Sequence, residues 1–220
     1  MNAKARKTTT KKANEPKPYI LSFTAASLRV DLARIMAESF IKLGSWEQTK
    51  QFVLATNALQ TRSTTTAIRM ERELRQRLQT LTQAQIELVA YATLDHRTAM
   101  TWLSMLKHSQ FVFDFASDLL RSKLETLDPI LHPSDYEGFW QSQAVLHPEL
   151  DKMTPASKAK IRQVLMLMLH EVGLLQTQQK NLTIQALVLP PQVISAIMTD
   201  NPRWLAGFLL SDQTLSLIHI

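Results

Sequence analysis

Between Trp46 and Leu81 apolar residues recur at helical spacing, and the pattern breaks once, at Asn57-Ala58-Leu59-Gln60-Thr61-Arg62. This predicts two helices flanking a tight turn. In the second helix Ala67, Met70, Leu74, Leu78 and Leu81 fall on one stripe at about 100° per residue, which gives it an inner face. The opposite face holds Thr65, Arg69, Arg72 and Gln76. Ser63 is the expected N-cap. Glu71 with Arg75, and Glu73 with Arg77, stand four residues apart on the flanks, where they can neutralise part of the charge. Arg72 has no acid four residues away on either side. An amphipathic helix whose outer face carries threonines, arginines and a glutamine after a turn suits a DNA recognition helix, since arginine forks address phosphates and guanine edges and glutamine addresses adenine. The same pattern fits a solvated helix laced with salt bridges, with Arg69 pairing to Glu73. The segment alone leaves both readings open.

The remaining pattern is helical with one exception. Ser22 reads as the cap of a helix with Leu28, Leu32, Ile35, Met36, Phe40 and Leu43 inward, closed by Gly44, and a short helix from Ser45 carries Trp46, Phe52 and Val53. Residues 19–81 thus predict a three-helix, helix-turn-helix-like unit. In the middle, 82–150, Thr82 with Gln85 forms a capping box, Asp95 with Thr98 caps a further helix, and a third runs from Phe111 to Leu127, stopping at Asp128-Pro129. Ser134 with Glu137 suggests another capping box before Tyr136, Phe139 and Trp140. In 151–220, Thr154 caps and Pro155 takes the first turn of a helix that is apolar nearly all round from Val164 to Leu169, hence an inner helix, with Lys158, Lys160 and Arg162 near its start. A polar tip, Gln176 to Asn181, and a β-compatible run from Leu182 to Leu189 follow. A helix followed at once by a hairpin is the order of a winged helix, with Gln178, Gln179 and Lys180 at the wing, although hairpins that merely pack are at least as common. Pro190-Pro191 end the strand, and two last helices follow, the second from Asn201-Pro202 with Trp204, Leu205, Phe208 and Leu209 apolar. The fold class expected is mainly α.

Charge changes this picture at one end. Residues 1–18 contain six basic residues against Glu15, so this segment supplies five of the formal +6 charges of the 220-residue chain. Rich in Lys, Thr and Ala without apolar periodicity, it is expected to be a disordered basic arm, able to attract nucleic acid without reading sequence, or a solubilising tail. With 45% apolar residues the rest can build a core, and no stretch approaches the roughly 20 apolar residues of a membrane span, since Val164 to Leu175 is broken by His170, Glu171 and Gly173.

Catalytic chemistry finds no foothold in the sequence. Cysteine is absent, which removes disulfides and thiolate chemistry and suits a reducing cytoplasm. Four glycines, at 44, 138, 173 and 207, write neither a phosphate-cradling loop nor a dinucleotide fingerprint. None of the six histidines stands four residues from another, so no helical metal pair forms. Asp114, Asp118, Glu125 and Asp128 read as an ordinary helix face. No enzyme activity, metal or cofactor is expected.

Particular strings carry a resemblance. Tyr19-Ile20-Leu21-Ser22-Phe23-Thr24, the Gly44-x-Trp46 corner, Asn57-x-Leu59-Gln60-x-Arg62 and Arg72-Glu73-Leu74-x-x-Arg77-Leu78 resemble the BrxA family of bacterial BREX phage-defence systems. So do Asp135-Tyr136-x-x-Phe139, His147-Pro148-Glu149-Leu150 and Thr154 to Lys158. The similarity covers nearly everything after the basic arm. It implies a small, mainly helical, cytoplasmic component of a defence locus with helix-turn-helix or winged-helix DNA-binding folds, in a system whose other subunits carry methyltransferase and ATPase activities. Family members have also been compared to an RNA-binding antitermination factor.

The expected function is therefore duplex-DNA binding, mostly through phosphates and with low sequence specificity. Arg62, Thr64, Thr65, Arg69, Arg72 and Gln76 would carry it, assisted by Lys158, Lys160, Arg162 and Lys180. One alternative is a scaffold that docks another defence subunit through Tyr136, Phe139 and Trp140 or through Trp204 and Phe208, although core is the simpler role for most of these aromatics. RNA binding ranks lower because no aromatic interleaves the arginines of 62–77 to stack on single-stranded bases.

Overall fold

The computed structural model describes residues 17–210, so the basic arm lies outside the described residues except for Lys17 and Pro18. The fold is mainly helical with a small three-stranded antiparallel sheet. In chain order the elements are α1 (Val30–Leu43), α2 (Trp46–Ala55), α3 (Thr64–Leu78), α4 (Gln83–Tyr91), α5 (Leu94–His108) and α6 (Gln110–Asp114). A π-helical turn (Phe115–Leu120) joins α6 to α7 (Arg121–Glu125), and β1 (Ile130–Leu131) and α8 (Pro133–Ala144) follow. Then come α9 (Pro155–Val172), β2 (Leu175–Gln178), β3 (Asn181–Ile184), α10 (Pro191–Asp200) and a 3-10 segment (Pro202–Phe208).

The central helix is α5, against which α1, α3, α4, α6, α9, α10 and the 3-10 segment all pack. Its eight residues from Ala99 to Leu106 are all buried, and its polar members close their bonds locally, Thr101 Oγ1 donating to Arg97 O (2.8 Å) and Ser104 Oγ to Thr101 O (2.7 Å). Trp102 Nε1 donates to Gly207 O at 3.0 Å, which fixes the 3-10 segment on α5. The inner position expected for α9 belongs to α5 instead. On α9, Ile161, Val164, Leu165, Met168 and Leu169 are buried, but Lys160, Gln163 and Leu167 face outward, because the apolar run is longer than the surface that neighbours cover.

Several helix ends follow their sequence signals. Ser63 caps α3, its hydroxyl accepting from Thr66 N at 3.2 Å, and Thr82 with Gln85 forms the reciprocal capping box of α4. Thr154 caps α9 with Pro155 at its first turn, and Gly44 (φ 69) closes α1 in the left-handed conformation; Gly173 (φ 88), not expected as a cap from the sequence, closes α9 in the same way. The Gly44-x-Trp46 corner is held by Phe40 stacked on Trp46, ring centroids 4.1 Å apart.

Other ends differ. Helix α1 begins at Val30, not after Ser22; Arg29 precedes it at φ 51, and residues 22–28 run without helix, bound by side chains from α3 and α9. The cap of α5 is Thr93 rather than Asp95, and α8 starts from His132, whose N–H donates to Asp135 Oδ2 at 2.7 Å, because Pro133 takes the first helical position ahead of Ser134. Phe52 of α2 is exposed.

The hairpin forms, with β2 extending through Gln178 and a two-residue turn at Gln179 (φ 47) and Lys180 (φ 71). Its second strand ends at Ile184 rather than Leu189, and its outer partner is β1, paired as Ile130↔Thr183 and Leu131↔Leu182, so the sheet draws a strand from the middle of the chain. The last helical element is 3-10, not α. Tyr136, Phe139, Trp140 and Phe208 are buried, Tyr136, Phe139 and Trp140 packing edgewise or tilted on Phe111 and Phe115, which removes them as a docking surface; Trp204 is half-buried. No helix among the described residues is long and apolar enough to cross a membrane.

Candidate nucleic-acid interface

Helix α3 is positioned from below by its apolar stripe, Ala67, Met70, Leu74 and Leu78 all being buried against α1, α2 and α5. The turn before it is tied by Asn57. In the left-handed conformation (φ 48), its Oδ1 accepts from Thr61 N (3.1 Å) and its Nδ2 donates to Thr61 O (3.2 Å), while Leu59 anchors the loop in the core. No acid lies in the first turn of α3, so its positive dipole end is not offset.

The decisive electrostatic feature is where the acids of α3 point. Glu71 is 1% exposed and binds Arg75 Nε at 2.6 Å. Glu73 is also buried. It binds the buried Arg77 and accepts from Ala25 N (3.0 Å). The Glu73–Arg77 pair therefore sits inside the protein and not on a solvated flank, because the guanidinium is needed there. Arg77 donates to Ser27 O (2.7 Å), Ala26 O (2.8 Å) and Phe23 O (3.2 Å), tying down the 23–27 backbone. From the other side Glu171 of α9 accepts from Ser27 Oγ and Leu28 N, both at 2.7 Å. Burial drives the Glu73 carboxyl upward, against the opposing pull of Arg77, and burial likewise drives Arg77 downward.

With both acids turned inward, the charged residues on the outer face of α3 are all cationic. Thr64, Thr65, Arg69, Arg72 and Gln76 are all exposed, as is Arg62 in the turn. Among the described residues, Arg62, Arg69 and Arg72 make no ion pair, so the alternative pairing of Arg69 with Glu73 is not made. The face from Thr65 to Gln76 spans twelve residues, roughly 16 Å along the axis.

The second group of basic residues is arranged differently. Lys158 lies 2.5 Å from Glu137 Oε2 and 5.1 Å over the Trp140 ring, and Arg162 lies 5.5 Å over Tyr136, so both lean on α8. Lys160 is exposed and donates to Gln163 Oε1 (3.1 Å), and Lys180 is exposed in the hairpin turn. The structure thus gathers the α3 residues on one face, whereas Lys158 and Arg162 are committed to neighbours.

Sequence reasoning missed Ser22 and Thr24. They border a cleft of about 250 Å³ whose other wall is Arg69, Arg72 and Gln76, with Glu73 beneath. The segment that carries them holds its shape through bonds to residues 50 and more positions away, and no local signal reports those bonds. Its upstream end is pinned too, Tyr19 N donating to Glu149 Oε1 and Tyr19 OH to Asp114 Oδ2, each at 2.7 Å, with the ring stacked on His147.

A family model for BrxA matches residues 17–201. This chain belongs to the BrxA family. The match spans the quoted strings from Tyr19 to Lys158 and takes in only the last two residues of the basic arm. Among BrxA relatives, the BREX protein BrxA of Escherichia coli O9:H4 (strain HS) is 27% identical over 160 residues, 73% of this chain and 75% of that protein. The crystal structure of an uncharacterized protein from Magnetospirillum magneticum shares the fold, with a TM-score of 0.78 at 19% identity over 88% of this chain and 98% of that one.

Proposed function

We propose that this chain is the non-enzymatic, duplex-DNA-binding BrxA component of a BREX-type phage-defence system, contacting mainly phosphates with low sequence specificity. Helix α2, the Asn57–Arg62 turn and α3 act as a helix-turn-helix-like reader, and α9 with the β2–β3 hairpin acts as a winged-helix-like second contact through Lys160 and Lys180. One observation carries this reading: both acids of α3 are buried and bound, which leaves Arg62, Arg69 and Arg72 unneutralised around a single exposed face. Unpaired guanidinium forks at the surface suit phosphate and base-edge recognition. Family membership supports the defence role. Competition between a short labelled duplex and a structured RNA of equal length tests the choice of ligand. Duplex is expected to displace RNA. Preference for RNA would overturn the DNA assignment, and no binding of either would overturn the nucleic-acid reading.

A second reading, docking of another defence subunit, is favoured by the open, mainly apolar groove of about 850 Å³ between α4 and α10, beside which Tyr91 and Leu94 are largely exposed. Capture of that subunit after nuclease treatment supports docking, and capture lost with nuclease removes it.

A further inference from the structure

The cleft beside α3 has more structure than a helix face requires. One wall is the non-helical segment Ser22–Ala25, the other is the Arg69, Arg72 and Gln76 edge of α3. The Ser22 and Thr24 hydroxyls and the Arg69 and Arg72 guanidinia have no hydrogen-bond or ion-pair partner among the described residues. The acid in the cleft, Glu73, is spent: its two oxygens bind Arg77 and Ala25 N. Two free positive charges and two free hydroxyls therefore face one small polar space. Its walls are held rigidly, because Arg77 grips the carbonyls of Phe23, Ala26 and Ser27 and Glu171 grips Ser27 and Leu28. A group entering the cleft meets one wall whose backbone is already in place, which lowers the ordering cost of binding.

We infer that this cleft is a seat for one phosphate of a nucleic-acid backbone, in which the Ser22 and Thr24 hydroxyls donate alongside the Arg69 and Arg72 guanidinia. The inference rests on the DNA-binding reading and deepens it, adding a non-helical segment that no helix-turn-helix pattern in the sequence supplies. A tetrahedral, doubly bridged phosphate offers acceptors toward both walls at once, whereas a helix face alone would engage it from one side. Arg77 and Glu73 are positioning residues. They act through the Ser22–Ala25 wall, which they hold against α3.

The test uses the full chain, a short labelled duplex, and the variants Ser22→Ala/Thr24→Ala and Ser22→Ala alone, titrated over a range of salt. Removing two neutral donors to a charged group is expected to weaken duplex binding roughly tenfold while leaving the salt slope unchanged, since no charge is lost. Ser22 is exposed, so its single variant keeps the fold and is expected to show part of the loss. If both variants bind duplex as the unaltered chain does, the seat is overturned while DNA binding stands. Should the unaltered chain fail to bind duplex, DNA binding falls, and a titration with inorganic pyrophosphate followed by NMR decides the seat separately. Shifts confined to residues 22–25 and 69–76 uphold an anion seat, and their absence overturns it.

Discussion

Arg77 shows how one residue sets the character of the site. From the sequence it is one half of an i,i+4 pair with Glu73 on an arginine-rich helix, and spacing alone places such a pair at the surface. The structure buries it, because residues 23–27 turn their carbonyls toward α3 and need a donor with a planar fork. The prediction is that Arg77→Met, which strands Glu73 in the interior, lowers stability by about 3–5 kcal/mol, and that adding Glu73→Gln recovers a substantial part of this in urea unfolding. His108 is a neighbour in the same field. Burial first, and the charge of Arg77 second, push its imidazole below the ordinary value of 6.5. A base lowered on folding binds fewer protons in the native state than in the unfolded one, so its contribution is complete above 6.5 and shrinks as pH falls toward the folded value. Unfolding measured across that window should show stability dropping with acidification, and His108→Gln should flatten the dependence.

At the scale of elements, what was legible depended on whether the signal was local. The stripe of α3, the Ser63, Thr82 and Thr154 caps, Pro155 and Gly44 are local, and each one stands where the pattern put it. Segment 22–28, strand β1 and the outward face of α9 are set by distant partners. Ser22 looked like a cap because the apolar residues after it are spaced as in a helix, yet Phe23, Ala26 and Leu28 are buried from a non-helical run with a turn at Thr24-Ala25. The exposed arginine face of α3 was legible as a list of residues. That its acids point inward was not, because periodicity does not distinguish a flank from an interior pair. The 3-10 segment likewise owes its seat to a close approach, since a Cβ on Gly207 would lie 2.5 Å from Leu106 Cδ1. Gly207→Ala should therefore destabilise the protein by roughly 1–3 kcal/mol, measured by thermal or urea unfolding, as α5 is too tightly packed to yield freely.

For the whole molecule, a single core cluster reaches from Tyr19 to Leu210, and α3 and α9 meet through the segment gripped by Arg77 and Glu171. Each candidate DNA-contacting element is thus tied to the same strap. The formal +6 charge comes mostly from residues 1–18, so a basic arm alone would also bind nucleic acid in a salt-dependent way. The central claim is that the folded body does so through α3. The measurement that separates the two is duplex affinity against salt for the full chain, a form lacking residues 1–18, and Arg69→Ala/Arg72→Ala. The account predicts that truncation leaves specific weakening by the double substitution intact, and that the double substitution reduces the slope of log K against log salt by about two. A slope that falls only on truncation, with the double variant binding as the unaltered chain does, would contradict it.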